Sequence, residues 1–436
     1  MNVESIKSVI LTVLVLLSVF LTWNIWTYQP NLDQIEQTQY MEVAISNKQE
    51  LESVIRPTQI LYHHDTTYGT SNENEIEKTM LEISKWNLDT IKDISQSIPD
   101  RDFLNFVHGK GNTEIKFSGK VPLGVYKNII RINEKEFPEF KFDRIVINTI
   151  KGQDSLYFVA YDERKVYRAS VNISLLETFN KDFYSYAYRY PKYESYKLSD
   201  RKMFFLPKEM VKLPQYKYYP IYLDTKKFRD ALFSDPSIVK QDYIAQGEEY
   251  TDGSSLMNVY YNTMMIYYVN PAKRKNIPPQ SDDLLQKSID FVNDHAGWED
   301  QYRFAELSEA EQKTVFRLFL QGLPVFNEEG MSEIVQVWSK DEIYQYTRPY
   351  FSLDFPLPSE IKENVLPTGK EAFEEVTSLR DFDPNLLEDL VVGYKLSRDP
   401  LEQKIISLEP AWYYRYGGAW IRVIFPERGG VRSGLE

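Results

Sequence analysis

The chain has 436 residues, of which 42% are hydrophobic and 14% aromatic, and its formal net charge is −13. This much apolar surface excludes a disordered chain, and the length exceeds what one hydrophobic core usually organises, so we expect two or three domains. The acidic charge disfavours nucleic acid as a partner, and the absence of cysteine excludes disulfides, thiolate metal sites and cysteine nucleophiles.

An uncharged apolar segment near the amino terminus predicts a membrane anchor. Residues Val9 to Trp26 carry no charged side chain, and a helix of about 18 residues spans about 27 Å, close to the thickness of the hydrocarbon core. The segment lacks a small-x-small cleavage site and runs into the interfacial aromatic residues Trp23, Trp26 and Tyr28. These features favour an uncleaved anchor over a signal peptide.

The distribution of positive charge sets the expected orientation of this anchor. Lys7 precedes the apolar segment, whereas no Lys or Arg follows it until Lys48. The positive-inside rule therefore makes residues 1–8 a cytoplasmic tail and residues 9–28 the transmembrane helix. We expect a single-pass protein of the cell membrane, with the bulk of the chain outside the cell.

Residues 29–199 are predicted to form an N-terminal extracytoplasmic domain. Gln59 to His63 is strand-like, and Asn74 to Ile94 carries apolar residues at mostly three- to five-residue spacing, which is typical of an amphipathic helix. Short β-rich runs from Asp143 onward predict an antiparallel meander. A helix from Leu175 to Tyr186 is expected to close the domain.

Residues 200–305 are predicted to form a central α+β domain. It follows the segment Ala187 to Tyr222, whose prolines are expected to limit continuous helix and pairing as a central strand. Next come a short helix from Thr225 to Phe233 and a three-strand meander from Glu248 to Pro271. A helix from Ser281 to Asn293 follows, with an apolar face at helical spacing.

Residues 306–436 are predicted to form a C-terminal α+β domain. Ser308 and Glu311 resemble a capping box, which predicts a helix from Ser308 to Gln321. A second box at Thr368 and Glu371 predicts a helix from Gly369 to Leu379. The remaining runs predict antiparallel strands at Ile334–Trp338, Ile343–Phe351, Asp389–Leu396, Ile405–Tyr416 and Ala419–Phe425, the last two joined at Gly417-Gly418.

Few residues form a pattern that carries chemistry. His63-His64-Asp65 is the only local cluster of metal-ligating types, but adjacent strand residues face opposite sides and do not easily share one ion. His295 is expected to follow a helix C-terminus. The run from His108 to Asn112 lacks the spacing of a phosphate-binding loop. We therefore predict no catalytic, cofactor-binding or metal-ligating residues and no cofactor.

One group near the carboxyl terminus is a candidate for binding another protein. Trp412, Arg415, Trp420 and Arg422 flank the Gly417-Gly418 turn. Arg and Trp are enriched at binding hot spots, so we predict an interaction site there. Cross-strand packing within a sheet is the alternative.

Several stretches together resemble the YycH family, the membrane-anchored regulators that accompany the YycG (WalK) sensor histidine kinase of Gram-positive bacteria. The stretches that carry the resemblance are Leu17-Ser18, Leu21-Thr22-Trp23, Ile25-Trp26, Glu249-Tyr250-Thr251-Asp252-Gly253, Tyr268-Val269-Asn270-Pro271 and Arg348-Pro349-Tyr350-Phe351. The resemblance implies one transmembrane helix, a three-domain extracytoplasmic body, and association with the related protein YycI and with the kinase. It transfers no catalytic residues.

These observations lead to a functional hypothesis. The chain is expected to be a non-enzymatic regulator whose anchor packs beside the transmembrane helices of the kinase through Ser18 and Thr22, while its outer domains bind a YycI-like protein. An extracytoplasmic ligand-sensing or cell-wall-binding module is the alternative, and a wall hydrolase ranks third. Association with a second copy stays open, as does the sign of the effect on the kinase.

Overall fold

The computed structural model describes residues 16–18, 48–133, 138–149, 154–271, 281–295, 297–339, 342–358 and 361–426. The chain divides into two compact units, Met1–Ala44 and Ile45–Glu436. Within the first unit only residues 16–18 are described, and they are helical. The rest of the predicted anchor at 9–28 lies outside the described residues, as does the predicted tail at 1–8. No helix within the described ranges is long and apolar enough to cross a bilayer.

The second unit contains two large sheets with helices packed on them, which confirms the predicted α+β class with largely antiparallel strands. The first sheet has ten strands, in the order β10-β9-β2-β1-β4-β6-β7-β8-β3-β5. All its neighbours are antiparallel except β3 and β5. Its strands are β1 Gln59–His63, β2 Thr67–Thr70, β3 Asn87–Asp93, β4 Asn112–Pro122, β5 Arg131–Ile132, β6 Lys141–Asn148, β7 Ser155–Ala160, β8 Lys165–Ser170, β9 Lys192–Lys197 and β10 Met203–Pro207.

The second sheet has fourteen strands, and its main path runs β13-β14-β15-β16-β21-β20-β18-β19-β24-β25-β11-β23, with β17 on β18 and β26 on β25. Two further strands, β12 Ile221–Tyr222 and β22 Phe351–Ser352, form a separate pair. The strands of the second sheet are β11 Val211–Tyr218, β13 Lys240–Ile244, β14 Gly247–Thr251, β15 Leu256–Tyr260, β16 Met265–Val269, β17 Tyr302–Ser308, β18 Lys313–Leu320, β19 Leu323–Phe326, β20 Glu333–Ser339, β21 Glu342–Pro349, β23 Lys362–Leu366, β24 Leu387–Arg398, β25 Ile406–Tyr416 and β26 Ala419–Arg422.

The helices are short and amphipathic. Those described are α1 Leu51–Val54, α2 Glu73–Ile83, α3 Phe103–His108, α4 Leu123–Tyr126, α5 Ile173–Asp182, α6 Thr225–Leu232, α7 Ser281–Asp294 and α8 Gly369–Thr377. The predictions for α5, α6, α7 and α8 are confirmed within a few residues at each end. The capping box at Thr368 and Glu371 is present, with the Thr368 hydroxyl accepting the Glu371 N–H.

The helix predicted from Asn74 to Ile94 is wrong in its second half. The helix α2 ends at Ile83, and the chain then forms β3. A β-bulge in β3, with Thr90 at a φ of 55°, places the buried residues Leu88 and Ile91 three positions apart. Helical spacing of apolar residues arises here from an irregular strand.

The helix predicted from Ser308 to Gln321 is also wrong. These residues form the turn between β17 and β18, followed by β18 itself, in which six consecutive residues are buried. A strand buried on both faces reads as a continuous apolar run rather than an alternation. The Ser308 hydroxyl accepts the Glu311 N–H at 3.4 Å, but it does so in a hairpin turn.

The proline-rich segment forms strands in spite of its prolines. The strand β11 contains Pro214, and residues 211–215 pair with β23 while residues 216–218 pair with β25. Each half of β11 therefore pairs with a single strand, so the half that contains Pro214 is not hydrogen-bonded on both sides, which is where proline is tolerated in a sheet. The chain passes from the first sheet to the second between Pro207 and Val211.

The two sheets share their hydrophobic core. One continuous cluster contains buried residues of both sheets, among them Ile115 of β4 and Phe316 of β18. A second cluster joins Leu206 of β10 to Ala372 of α8 and Trp412 of β25. Strands on either side of residue 305, β16 and β21, pair directly. The division into domains at residues 199 and 305 stays a prediction.

The first described residues of the second unit are fixed on α7. The backbone N–H of Gln49 donates to Asn293 Oδ1 at 2.9 Å, and Asn293 Nδ2 donates back to the Gln49 carbonyl at 3.2 Å. The indole N–H of Trp298 also donates to Asn293 Oδ1, and Lys48 pairs with Asp294 at 2.8 Å. We call this arrangement the Asn293 clamp. Because Asn293 is buried, the clamp sets where the chain enters the folded body.

Candidate functional site

A cleft of about 1160 Å³ lies between the two sheets. Its walls come from β4 and β10 of the first sheet and from β17, β19, β24 and β25 of the second. Both aromatic and charged side chains line it, among them Tyr216, Trp420 and Arg415. We call it the inter-sheet cleft, and its volume is slightly above the roughly 300–1,000 Å³ of typical small-molecule sites.

Ion pairs join the sheets at and beside the cleft. Lys116 of β4 pairs with Asp389 of β24 at 2.6 Å. Burial alone would raise the pKa of Asp389, but the Lys116 ammonium holds it below its ordinary value. The buried Arg303 of β17 pairs with Glu73 of α2. These pairs connect strands of one sheet to segments that pack with the other.

A buried cluster of charged and aromatic groups adjoins the cleft. Glu114 of β4 is fully buried and accepts from Arg144 of β6 through Oε1. His63 Nε2 lies 3.1 Å and His108 Nδ1 2.9 Å from Glu114 Oε2. His108 Nε2 contacts the Tyr161 hydroxyl at 2.8 Å. The strands β1, β4 and β6 are neighbours, so sheet pairing sets His63, Glu114 and Arg144 side by side. The helix α3, which packs on β4, adds His108.

The electrostatics of this cluster fix its charge state. Burial would raise the pKa of Glu114, but Arg144 and the two histidines hold it well below its ordinary range. Burial lowers the pKa of His108 although Glu114 opposes this effect. Burial also raises the pKa of Tyr161 to about 12. The cluster therefore centres on an ionised carboxylate that Arg144, His63 and His108 contact.

The predicted interaction residues of the C-terminal segment have different surroundings. Trp412 is 1% exposed, and its indole N–H donates to the Pro367 carbonyl. Arg415 pairs with two glutamates of the second sheet and lines the cleft. Trp420 packs on a ring of β19 and lines the cleft as well, whereas Arg422 is exposed. A role for these residues in partner binding stays a prediction.

The anchor residues singled out from sequence are only partly described. Ser18 lies in the short helical stretch at residues 16–18. Thr22 lies outside the described residues. Their predicted contact with other transmembrane helices stays a prediction.

The His63–Glu114–His108 cluster is absent from the sequence-based predictions. His63 and His64 do face different surroundings, as expected for neighbours on a strand: His64 Nε2 contacts the Tyr184 carbonyl at 3.0 Å. The partner of His63 is instead His108, 45 positions further on, through Glu114. Only knowledge of the pairing of β1 with β4 would have identified it. His295 follows α7 as predicted, with Nδ1 against the Phe291 carbonyl.

Asp300 is a further carboxylate, besides Glu114 and Asp389, whose pKa the fold shifts. Both of its oxygens lie 3.1 Å from the Leu353 N–H. Burial, reinforced by the neighbouring Glu299, raises the pKa of Asp300 to about 7. The folded protein therefore binds more protons here than the unfolded chain between about pH 4 and pH 7. Stability contributed by this group is present below pH 4 and is lost as the pH rises through 7.

We expect the substitution Asp300→Asn to remove this pH dependence. The amide keeps an acceptor for the Leu353 N–H and carries no charge. At pH 8 the variant should be more stable than the unsubstituted protein by roughly 1–3 kcal/mol, since one pKa unit is worth about 1.4 kcal/mol and the side chain is only partly buried. Urea unfolding at pH 5 and pH 8 checks this, and an equal difference at both pH values would contradict it.

The structure defines an α+β protein with two large sheets and a cleft between them. Family models for the N-terminal and C-terminal domains of YycH match residues 4–187 and 201–430. The chain belongs to the YycH family. A relative from Bacillus subtilis (strain 168), the two-component system WalR/WalK regulatory protein YycH, is 26% identical over the full length of both chains. The crystal structure of YycH from Bacillus subtilis matches with a TM-score of 0.75, 22% identity and coverage of 87% of this chain and 98% of that one.

Proposed function

We propose that this protein is a non-enzymatic regulator of a WalK-type sensor histidine kinase, anchored in the membrane by residues 9–28. Its membership of the YycH family and the name of the Bacillus subtilis relative support a role in a two-component system. In this proposal the amino terminus is cytoplasmic and the second unit lies outside the cell. A YycI-like single-pass protein binds the outer body.

The Asn293 clamp is the observation that best supports a mechanism. It ties the residues that follow the predicted anchor to α7, whose buried face packs in the shared core. A partner that binds the outer body in one of two arrangements thereby also biases the position of residue 48. A difference of about 1–3 kcal/mol between two kinase states is enough to change their ratio by roughly 5- to 150-fold.

Photocrosslinking in native membranes tests this proposal. A photoreactive residue at Ser18 or Thr22 should capture a histidine kinase, and one at Trp420 should capture a YycI-like single-pass protein. Leu17, one position from Ser18 on the helix, and the exposed Leu401 serve as matched control positions. Equal capture at control and test positions, or capture of neither partner, would overturn the assignment of contacts.

The inter-sheet cleft favours a second candidate function, a sensor of cell-wall fragments. Aromatic faces such as those of Tyr216 and Trp420 can stack on sugars, and both residues are half-buried and line the cleft. Thermal shift of the full chain with muropeptides of defined composition tests this role. A concentration-dependent rise in the unfolding temperature supports it, and no rise at millimolar fragment removes it.

A further inference from the structure

The His63–Glu114–His108 cluster has the composition and geometry of a metal site. Its three ligating atoms, His63 Nε2, His108 Nδ1 and Glu114 Oε2, all lie within 4.8 Å of one another. The two nitrogens are 3.1 and 2.9 Å from the carboxylate oxygen. Ligands of a tetrahedral ion with bonds of about 2.0–2.1 Å are roughly 3.3 Å apart, so small side-chain shifts accommodate one.

We propose that His63, His108 and Glu114 bind one zinc ion. Two imidazole nitrogens and one carboxylate oxygen form a set that Zn²⁺ favours, whereas Mg²⁺ and Ca²⁺ prefer oxygen ligands. The ligands come from β1, α3 and β4, so the folded body positions them in advance. Glu114 is also among the residues that border the inter-sheet cleft, although its side chain is fully buried. The ion would therefore enter from the cleft through local movement of side chains.

Each histidine also has a hydrogen-bond partner at its outer ring nitrogen, the one that faces away from Glu114. These partners are compatible with both the zinc-bound and the metal-free state. His63 Nδ1 contacts the Thr67 hydroxyl at 3.2 Å, and His108 Nε2 contacts the Tyr161 hydroxyl at 2.8 Å. A hydroxyl both donates and accepts. It donates to the outer nitrogen when the inner one carries the proton, and it accepts when the inner nitrogen binds zinc. Hydrogen-bonded outer partners of this kind orient histidine ligands in zinc sites.

Arg144 leaves the ligating oxygen free. It donates to Glu114 Oε1 and not to Oε2, so a zinc ion and the guanidinium use different oxygens of one carboxylate. Asp143 lies 3.6 Å from Arg144 Nε and offsets part of its positive charge. The positive charge of Arg144 therefore already has two carboxylates next to it, Glu114 and Asp143, which reduces its repulsion of a zinc ion.

Zinc titration of the full chain, purified in detergent without a histidine tag, tests the proposal. Calorimetry with zinc chloride should give one ion per chain. His63→Gln and His108→Gln should each weaken binding beyond the roughly 10- to 100-fold cost of losing an outer partner. His64→Gln and His295→Gln remove the two other histidines of the chain and should leave the affinity unchanged. Binding that the double variant His63→Gln/His108→Gln retains in full would overturn the proposal.

A measurement on the unsubstituted protein covers the case in which a variant does not fold. Zinc-edge X-ray absorption of the loaded chain should show two imidazole ligands at about 2.0 Å. A shell of oxygen ligands alone, or no zinc retained after gel filtration, contradicts the site. None of these readouts uses the kinase, so the result is independent of the proposed regulatory function.

Discussion

The substitution Arg144→Met is expected to lower the free energy of unfolding by about 3–5 kcal/mol. Glu114 is fully buried, and Arg144 is its cationic partner. Removing one member of a buried pair leaves an uncompensated charge in the core. Urea unfolding of the full chain followed by tryptophan fluorescence measures the loss, with EDTA present so that bound metal does not contribute.

Two further variants separate this effect from the loss of a guanidinium as such. Arg168→Met removes an arginine of the same sheet, whose partner Asp154 is 46% exposed, and should cost at most about 1 kcal/mol. The double variant Arg144→Met/Glu114→Gln removes both charges and should recover part of the stability lost in Arg144→Met. Equal losses for Arg144→Met and Arg168→Met would show that Glu114 does not depend on its ion pair.

The substitution Gly322→Ala should lower the free energy of unfolding by about 2–4 kcal/mol. Gly322 lies in the turn between β18 and β19 with a φ of 82°, and a Cβ there would sit 2.2 Å from the Ser71 carbonyl oxygen. About 1 kcal/mol comes from the left-handed backbone. The remainder, about 1–3 kcal/mol, comes from overpacking against main chain that cannot rotate away.

Gly253 provides a matched control for this prediction. Its φ is 88°, and a Cβ there meets nothing within 4 Å. Gly253→Ala should therefore show the backbone cost alone, about 1 kcal/mol. Thermal or urea unfolding of both variants gives the difference. If Gly253→Ala costs as much as Gly322→Ala, the close approach to Ser71 has no energetic weight.

Sequence alone predicted the elements whose local signals agree with one another. The meander around β14 to β16 has clear turn residues, and α8 has a complete capping box. The hairpin of β25 and β26 turns at Gly417-Gly418, both of which have positive φ. At these places turn chemistry, capping and periodicity all indicate one structure, so no tertiary information was needed.

The two wrong helix predictions fall on segments whose secondary structure is set by tertiary packing. The bulge in β3 imitates helical spacing, and β18 is buried on both faces, so its periodicity is uninformative. The buried cluster around Glu114 was not predicted from the sequence for a different reason. His63, Glu114 and Arg144 meet because β1, β4 and β6 are neighbours, and His108 joins them because α3 packs on β4. Neither strand order nor this packing is encoded in any short motif.

The pairing of β16 with β21 and the position of β10 limit where the chain can be divided to make chimaeras of related proteins. The strand β10 lies within the residues matched by the C-terminal family model, yet it hydrogen-bonds in the first sheet. A cut at residue 200 would remove an edge strand from one half and leave an unpaired extension on the other. A cut at residue 305 would expose β16 and β21 as open edges prone to aggregation. Recombination between relatives should therefore tolerate the exchange of the whole second unit, Ile45–Glu436, far better than the exchange of its halves.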